Sequence, residues 1–294
     1  MKTAAVIGTG SMLGRQLASR LRKRGIKVLT AGRTGRDDIF LDLGKAELGS
    51  CDGLRADVIF HCAAAFADDS LKGLKDNFDV NAQGALTAGA LAERLEATIF
   101  VYAGSAFSAP GPGVDMTKIG AYGLTKAIGE QVLGWIMERQ QARFCSLRFS
   151  QIYDTDGVCC HHQPWFGRII AYASRGEDIR MPPSLGPRNF LHVEDAADLM
   201  IRAAMVPEAK DVMDVVHPES LTCQDIATIA YNVFACGGNV VAAPEKTPFR
   251  EIHFADGRPA FGRLGLAPAI DMRGGIAMIK AAGTAQAFGP MDIT

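Results

Sequence analysis

A tyrosine and a lysine four residues apart, Tyr122 and Lys126, are the residues of this chain whose types and spacing most clearly allow chemistry. They lie in a long helical pattern that we predict over Tyr122–Gln140. Positions i and i+4 share one face of a helix, so the phenol and the ammonium would lie side by side. A neighbouring cation favours the phenolate, which lets a tyrosine donate or accept a proton near neutral pH.

A serine is predicted to complete this group. Ser105 follows a β-rich run at Thr98–Ala103, and open α/β sheets bind their ligands at the carboxyl ends of the strands. Its hydroxyl would hydrogen-bond a substrate oxygen beside the tyrosine. The three residues together therefore predict proton transfer at a carbonyl or hydroxyl group.

A glycine-rich turn near the start of the chain predicts an anion-binding site. It lies between the first predicted strand and the first predicted helix, and its spacing is one residue longer than the dinucleotide fingerprint. Gly8 permits a tight turn, Gly10 lets the backbone approach a pyrophosphate, and Gly14 lets the helix pack on the sheet. The N–H groups at the helix start would face the anion. A purely structural turn is the alternative. The candidate cofactor-binding residues of this turn are Gly8, Gly10, Ser11, Met12, Leu13 and Gly14.

The end of the second predicted strand distinguishes the two nicotinamide dinucleotides. An acid there hydrogen-bonds the ribose hydroxyls of NAD, whereas an arginine accommodates the 2′-phosphate of NADP. Arg33 follows the strand Lys27–Ala31, with Arg36 close behind. We therefore predict NADP as the cofactor, with NAD as the alternative if Arg33 is an ordinary surface residue. Asp42, after a short third strand, either reaches the adenine or is a surface aspartate.

The elements that must position these groups alternate along the first half of the chain. The predicted strands are Thr3–Gly8, Lys27–Ala31, Asp57–His61, Thr98–Ala103 and Arg143–Phe149, and the predicted helices between them include Met12–Arg24, Asp76–Arg94 and Tyr122–Gln140. The near-continuous apolar character of the strands suits a sheet that is covered on both faces. Strand–helix alternation of this kind predicts an α/β fold, a Rossmann-type doubly wound parallel sheet.

After about residue 150 the alternation becomes irregular, which predicts a smaller second domain. We place the dinucleotide-binding domain at 1–152 together with about 190–216. An interwoven C-terminal substrate domain would take 153–189 and 217–294. The further strands and helices predicted in this half are Phe190–Val193, Glu194–Met205, Val212–Val216 and Gln224–Ala235.

Composition excludes several classes of function. The 294 residues carry 31 Lys+Arg against 32 Asp+Glu, which gives no electrostatic reason to bind nucleic acid. No signal peptide or run of about 18 apolar residues is present, so we expect a cytoplasmic protein without membrane contact. The seven cysteines are scattered, which predicts reduced thiols. Four consecutive side chains in Cys159-Cys160-His161-His162 cannot easily converge on one ion, so no metal site is predicted.

In their order along the chain, these motifs resemble those of the extended short-chain dehydrogenase/reductases, the group of nucleotide-sugar epimerases, dehydratases and ketoreductases. The motifs that carry the resemblance are the glycine turn, His61-Cys62-Ala63-Ala64, Asn81-Ala82-Gln83-Gly84, Ser105, Tyr122 with Lys126, Leu147-Arg148-Phe149, Arg188-Asn189-Phe190-Leu191-His192-Val193-Glu194-Asp195 and Leu264-Gly265-Leu266-Ala267-Pro268. The resemblance implies that Tyr122 donates or accepts the proton. It implies that Lys126 lowers the tyrosine pKa and binds the nicotinamide ribose, and that Ser105 polarises the substrate oxygen.

The same resemblance implies further contacts. Ala63 and Ala64 would line the cofactor site, and Arg188 aligns with an arginine that binds the substrate diphosphate. Gln151 stands where the family has a substrate-binding asparagine, and Ser11 replaces the middle glycine of the turn. The helices Asp76–Arg94 and Tyr122–Gln140 would form a homodimer interface.

The sequence therefore predicts an NAD(P)-dependent oxidoreductase or epimerase that acts on a nucleotide sugar or a similar keto/hydroxy compound by hydride transfer. Reduction and epimerisation stay open, whereas dehydration is disfavoured because no acidic pair follows Ser105. The competing hypothesis is a regulator or scaffold that binds the cofactor without turnover. Retention of Ser105, Tyr122 and Lys126 weighs against that hypothesis.

Overall fold

An eight-stranded sheet organises the first half of the chain. The computed structural model describes residues 1–109, 119–184, 186–249 and 252–289. Its strands are β1 (Thr3–Ile7), β2 (Lys27–Gly32), β3 (Ile39–Asp42), β4 (Glu47–Leu48), β5 (Val58–His61), β6 (Ile99–Ser105), β7 (Arg143–Phe149), β8 (Gln151–Tyr153), β9 (Ile179–Met181), β10 (Phe190–His192), β11 (Asp211–Val215) and β12 (Val240–Ala242). The α-helices are α1 (Met12–Lys23), α2 (Leu71–Asn77), α3 (Gly84–Arg94), α4 (Ala121–Arg139), α5 (Pro164–Arg175), α6 (Val193–Met205), α7 (Cys223–Phe234), α8 (Arg258–Leu264) and α9 (Met272–Ala282).

The topology of the large sheet brings the ends of its central strands together. The strand order is β11-β7-β6-β5-β1-β2-β3-β4, and every neighbouring pair except β3 with β4 is parallel. Ile7, the last residue of β1, is in register with Ala31 and His61. Because parallel strands end at the same edge, the loops after β1, β2, β5 and β6 all leave from one side of the sheet. The predicted doubly wound parallel α/β sheet is confirmed.

The chain divides into two units. Unit 1 contains the described residues of Met1–Ser150, Ala196–Val216 and Ala255–Ala267, and unit 2 contains those of Gln151–Asp195, His217–Phe254 and Pro268–Thr294. Unit 1 holds the large sheet, whereas unit 2 holds two short parallel pairs, β8 with β10 and β9 with β12. The segment Ala255–Ala267, which our sequence-based boundaries place in the C-terminal domain, belongs to unit 1. A substrate-binding role for unit 2 stays a prediction.

Each unit has an apolar core of its own. In unit 1, side chains of β5, β6, α3 and α4 that are almost fully buried meet on one side of the sheet, among them Ile59, Phe100, Leu91, Leu133 and Met137. In unit 2, aromatic rings pack around the buried Phe166, whose ring centre lies 5.2 Å from that of Phe190 and 5.5 Å from that of Tyr153. Alternating large aromatic side chains at these distances stabilise a core beyond their buried area alone.

Most predicted elements of the first half are present within two residues at each end, but one helix is more complicated. The helix predicted over Asp76–Arg94 is present as continuous helical backbone, but it begins earlier, at Leu71, and contains a π-helical segment at Phe78–Gln83 between α2 and α3. Two asparagines of this region, Asn77 and Asn81, bond the backbone of the loop after β5. In unit 2 the sequence analysis missed α5 and α9, and the sequence of α9 is rich in glycine and alanine.

Candidate active site

The turn between β1 and α1 depends on close backbone approaches. Gly8 has φ of +84°, a left-handed conformation that favours glycine, and a Cβ there would lie 2.8 Å from Ala63 of the loop after β5. A Cβ on Gly14 would lie 2.2 Å from the Gly8 carbonyl oxygen. A Cβ on Gly10, in contrast, would meet nothing within 4 Å. Gly8 and Gly14 therefore hold the turn together, whereas Gly10 leaves open space above it.

Ser11, where the resembling family has a glycine, caps the first helix. Its backbone is extended with φ of −73°, so no glycine is needed there. Its hydroxyl accepts a hydrogen bond of 3.0 Å from the Gly14 N–H and donates one of 2.8 Å to the Gly8 carbonyl. A side-chain cap of this type stabilises a helix start by about 1 kcal/mol. The serine thus replaces conformational freedom with a specific hydrogen-bonded turn.

A cleft of about 500 Å³ lies over this turn at the carboxyl edge of the sheet. Its walls include most of the residues predicted to bind a cofactor, namely Gly8, Gly10, Ser11, Arg33, Asp42, Ala63 and Ala64. Met12, Leu13 and Gly14 form the first turn of α1 behind this wall. The start of a helix carries partial positive charge, which favours an anion in the cleft.

The far end of the cleft contains an acid that the sequence analysis missed. Asp37 is partly buried, and its carboxylate accepts hydrogen bonds from the Thr34 N–H at 3.0 Å and the Thr34 hydroxyl at 2.7 Å. A Cβ on Gly32 would lie 2.7 Å from this carboxylate. Arg33 is exposed beside it, and Asp42 is buried and accepts from the Gly44 N–H. Asp37 follows β2 by five residues, so only the loop geometry returns its carboxylate to the strand end.

Ser105 and Tyr122 lie within hydrogen-bonding distance of each other. Ser105 ends β6, is buried, and accepts a hydrogen bond of 3.2 Å from the Phe107 N–H. Burial raises the pKa of Tyr122 to about 12, and its side-chain hydrogen bond with Ser105 opposes this rise. A Cβ on Gly123 would lie 2.4 Å from the Phe107 carbonyl oxygen, so this glycine lets α4 approach the strand end closely.

Lys126 lies one helical turn beyond Tyr122 on α4 and is buried, with 2% of its surface exposed. Its ammonium donates a 2.7 Å hydrogen bond to the Ala103 carbonyl of β6 and lies 3.9 Å from the centre of the Tyr102 ring. Burial lowers the pKa of Lys126 to about 7, while the nearby Glu130 and Cys62 raise it. The side chain therefore changes its charge near neutral pH. A lysine with such a pKa is typical of functional sites.

A histidine contacts this group from β5. His61 is buried with its ring edge against Tyr102, the ring centres being 5.2 Å apart. Burial, and secondarily the charge of Lys126, lower its pKa to about 3, so the imidazole is neutral at physiological pH. His61 is therefore part of the packing around Lys126.

The loop after β5 is fixed against the tyrosine by amide side chains. Asn81 exchanges two hydrogen bonds with the backbone of Ala65, and Asn77 does the same with Ala67. Between these two positions, the Phe66 ring packs against the Tyr122 ring with centres 4.7 Å apart. Asn81 also donates to the hydroxyl of Thr125, the residue before Lys126. The π-helical segment therefore positions both the loop and α4.

A buried carboxylate near Lys126 also escaped the sequence analysis. Glu130, one helical turn beyond Lys126, accepts hydrogen bonds from the Ser146 hydroxyl and from the guanidinium of Arg148. Ser146 and Arg148 are two residues apart on β7 and so share one face of the sheet. Gly104 leaves room for them, because a Cβ there would lie 2.5 Å from the Ser146 hydroxyl. Two polar residues alternating within an apolar strand were the available signal.

The two residues predicted to bind substrate from the second half lie in unit 2. Gln151 begins β8, and its side-chain amide donates to Gln163 at 3.3 Å. Arg188 is buried and pairs its backbone with Leu221, and its guanidinium carbon lies 5.7 Å from the centre of the Phe249 ring. Their roles in substrate binding stay predictions.

Two searches of the described residues complete the description of possible sites. Among 1–109, 119–184, 186–249 and 252–289, no group of three or more His, Cys, Asp or Glu side chains is arranged to hold a metal ion. None of the helices in these ranges is long and apolar enough to cross a membrane.

Comparison with protein families gives one match. A sequence profile described as the NAD dependent epimerase/dehydratase family matches residues 4–216, which is well over half of the chain. The chain belongs to this family. The predicted family resemblance is thereby confirmed.

Solved structures show the same fold at low sequence identity. The UDP-N-acetylglucosamine 4-epimerase of Bacillus cereus is 18% identical with a TM-score of 0.80, over 96% of this chain and 99% of that one. The UDP-glucose 4-epimerase of Thermotoga maritima, solved with UDP-glucose, is 16% identical with a TM-score of 0.73, over 97% and 98%. The Bordetella bronchiseptica enzyme WbmF, solved with NADH, is 17% identical with a TM-score of 0.75, over 98% and 95%. A search of curated protein sequences gives no match.

The geometry of this epimerase/dehydratase family member fits a dinucleotide. Its cleft volume falls within the roughly 300–1,000 Å³ range of small-molecule sites. A Cβ at Gly8 or Gly14 would clash with the turn, and Gly10 leaves the space in which a pyrophosphate can approach the backbone. The far end of the cleft has charges of both signs, Arg33 and Asp37.

Proposed function

We propose that this protein is an NAD(P)-dependent oxidoreductase or epimerase that acts on a nucleotide sugar or a similar keto/hydroxy compound. The observation that carries the proposal is the hydrogen bond between Tyr122 and Ser105, with the buried Lys126 one helical turn beyond the tyrosine on α4. The nucleotide-sugar substrates named for the structural neighbours support the substrate class. The family description supports the nicotinamide cofactor.

Each residue of the group has one task in this proposal. The Ser105 hydroxyl donates to the substrate oxygen and orients it toward the tyrosine. Tyr122 passes a proton to that oxygen or removes one from it. Lys126, when protonated, stabilises the phenolate that remains after Tyr122 loses its proton. A bound nicotinamide ring would supply or accept the hydride.

Burial sets the protonation of this group. A pKa of about 12 for Tyr122 means that the phenol stays protonated at neutral pH until a nearby cation favours its ionisation. Lys126, whose pKa is about 7, is near half protonation at that pH. The charge of the lysine therefore controls how readily the tyrosine gives up its proton. Reduction and epimerisation use the same proton transfer and differ in whether reduced cofactor is consumed.

The decisive experiment replaces the tyrosine. Tyr122→Phe removes the proton donor but keeps the ring, and loss of a general acid–base group costs about 10²–10⁴-fold in turnover. Consumption of NADPH and NADH with a panel of keto and hydroxy nucleotide sugars, together with NMR detection of epimers, measures the loss. Tyr231→Phe in unit 2 is the matched control and should turn over like wild type.

Two outcomes would contradict the proposal. Wild-type turnover by Tyr122→Phe would remove the tyrosine from the mechanism. Cofactor binding by the wild-type protein without turnover of any substrate in the panel would favour the regulator or scaffold hypothesis.

The preference for NADP that Arg33 predicts depends on a competition between two charges. The exposed Arg33 attracts a 2′-phosphate, whereas the fixed carboxylate of Asp37 repels it and can accept a bond from a free ribose hydroxyl. We propose that Arg33 dominates this competition. Titration of NADPH and NADH by fluorescence should then give weaker NADPH binding in Arg33→Ala and stronger NADPH binding in Asp37→Asn. Equal affinities of wild type for both cofactors would contradict the preference.

We further propose a homodimer through α3 and α4. Their outer surfaces expose Leu86 and Trp135, each 57% accessible, and the adjoining Phe78 is 43% accessible. Large apolar side chains grouped in this way are typical of interaction surfaces. Light scattering after size exclusion should give about twice the 31.4 kDa of one chain, and Trp135→Glu should give monomers. A monomeric wild type would contradict this proposal without affecting the catalytic one.

A further inference from the structure

We propose that Glu130 is a positioning residue that acts through Lys126, its buried carboxylate keeping the neighbouring lysine in the charged form that Tyr122 requires. This inference rests on the proposed function for its catalytic meaning. The arrangement itself is independent of substrate. Glu130 touches neither the tyrosine nor the cleft residues in the contacts described above, so any effect on Tyr122 passes through Lys126.

The first argument is the placement of the three side chains on α4. Tyr122, Lys126 and Glu130 follow each other at intervals of four, so they form one line along a single helix face. Lys126 is 2% exposed and Glu130 is 3% exposed. A carboxylate removed from water at this depth costs several kcal/mol unless it is paired and hydrogen-bonded. An apolar residue at position 130 would make this buried helix face more stable, so we infer that the acid has a function.

The second argument is how completely the carboxylate is fixed. The Ser146 hydroxyl donates to one of its oxygens at 2.5 Å, and Arg148 Nε lies 3.1 Å from both oxygens. Arg148 also donates through Nη2 to the second oxygen. On the far side of Arg148, its register partner on β11 is Asp214, whose pKa is raised chiefly by burial. Glu130 is therefore held by β7 in one position, one helical turn beyond the lysine.

The third argument is the set of charged and titratable groups that face Lys126. From β5 and its loop these are His61 and Cys62, and from β6 it is Tyr102. Burial raises the Cys62 pKa to about 12 and lowers the His61 pKa to about 3, so both side chains are neutral near pH 7. Burial also raises the pKa of Tyr102, which stays a neutral phenol.

Glu130 is therefore the negative charge that opposes the desolvation of the Lys126 ammonium. Arg148 has the opposite influence, because its guanidinium offsets part of the carboxylate charge. The protonation of Lys126 thus depends on two opposite charges, the Glu130 carboxylate and the Arg148 guanidinium. Removal of either one should shift its charge in a predictable direction.

The test measures the charge of Lys126 directly and needs no substrate. Protein grown with 13C-labelled lysine is titrated by NMR, and the 13Cε signal of Lys126 is assigned by its loss in Lys126→Met. In Glu130→Gln the midpoint of this signal should fall by about one pH unit, a tenfold change in the dissociation constant. In Arg148→Gln the midpoint should rise instead. Glu130→Asp, which restores the charge on a shorter side chain, should bring the midpoint back toward the wild-type value.

Opposite shifts distinguish this role from a merely structural one. Both Glu130→Gln and Arg148→Gln break the same ion pair and destabilise the same helix–strand contact, so a structural effect alone would move the lysine midpoint in one direction. An unchanged midpoint in Glu130→Gln, or shifts of equal sign in both variants, would overturn the proposal. If Glu130→Gln does not fold, the rise in Arg148→Gln and the value in Glu130→Asp decide, and an unshifted midpoint in Arg148→Gln overturns it.

Turnover then links the arrangement to the reaction. With any substrate that wild type converts, the alkaline fall in activity should begin about one pH unit lower in Glu130→Gln, because Lys126 loses its proton earlier. A shifted lysine midpoint together with full activity of Tyr122→Phe would refute the proposed function and leave the charge coupling intact. An unshifted midpoint with an inactive Tyr122→Phe would refute only the role of Glu130.

Discussion

The turn after β1 and the group around Lys126 lie at the same edge of one sheet but are built in opposite ways. The turn consists of backbone and very small side chains, and its critical distances are those that a single Cβ would violate at Gly8 and Gly14. The second region consists of long, buried side chains whose charges are perturbed, above all Lys126 and Glu130. The turn therefore depends on the space that its glycines leave, and the Lys126 region depends on the removal of charged side chains from water.

The two regions consequently tolerate different substitutions. The turn accepts Ser11 in place of a glycine because the backbone there is extended and the hydroxyl caps α1. The Lys126 region accepts Gly104 before Ser105 because Ser146 and Arg148 fill the space. Substitutions in the turn should consequently lower stability by steric clash. Substitutions around Lys126 should change the pH dependence of stability and activity.

The largest effect is expected for Lys126→Met. Turnover should fall about 10²–10⁴-fold, because the phenolate of Tyr122 loses its cation. At pH 7 the free energy of unfolding should nevertheless rise by about 1–4 kcal/mol, because the variant no longer has the cost of burying the Lys126 charge that the lowered pKa reflects. Urea unfolding monitored by circular dichroism measures this gain, and the exposed Lys27→Met serves as control. A lower free energy of unfolding in Lys126→Met than in wild type would contradict the argument that burial of the lysine charge costs stability.

The pH dependence of the free energy of unfolding gives a second test of Lys126→Met. Lys126 has a pKa of about 7 in the native state and an ordinary value near 10.5 when unfolded, so the unfolded state binds more protons between these pH values. Wild-type stability should therefore rise as pH increases from about 7 to 10. Lys126→Met should lack this part of the rise.

A matched pair of glycine substitutions tests the turn. Gly14→Ala should lower the free energy of unfolding by about 1–3 kcal/mol, because its Cβ would lie 2.2 Å from the Gly8 carbonyl oxygen. Gly10→Ala, with nothing within 4 Å, should keep wild-type stability but weaken NADH binding by filling the space above the turn. Urea unfolding and fluorescence titration separate the two effects. Equal stability of both variants would show that close packing of the turn is unimportant.

The smallest effect concerns His61 and appears only in acid. Its pKa is about 3 in the native state against an ordinary 6.5, so the unfolded state takes up the proton first as the pH falls. Wild type should lose about 2 kcal/mol of stability between pH 7 and pH 5 from this residue alone. His61→Leu should lack that loss, whereas the exposed His161→Leu should keep it. If His61→Leu lost as much stability as wild type between pH 7 and pH 5, His61 would not be the cause of that loss.

Several features could be predicted from the sequence because they depend on local pattern. The strands β1, β2, β5, β6 and β7 follow from short apolar runs, and the parallel sheet follows from their alternation with helices. The pairing of Tyr122 with Lys126 follows from helical spacing alone. The family itself could be recognised because its motifs occur in a fixed order.

Other features required contacts between distant parts of the chain. The π-helical segment at Phe78–Gln83 is stabilised by bonds from Asn77 and Asn81 to loop residues that lie 10 and 16 positions earlier, which no periodicity reveals. Asp37 reaches the strand end through a loop that folds back on Gly32. Neither Asn77 nor Asp37 stands at a position that a sequence motif would single out, whereas Asn81 belongs to a motif of the family resemblance.

The sequence alone specifies most strands and helices of unit 1 and places Tyr122 and Lys126 on one helix face, because both follow from periodicities of two and about 3.6 residues along the chain. Only the tertiary structure decided how those residues are charged. Lys126 has a pKa near 7 because β5, β6 and α4 close around it, and Glu130 influences it because β7 fixes the carboxylate there. Desolvation and charge pairing are properties of the assembled sheet and its helices, and the linear order of residues does not contain them.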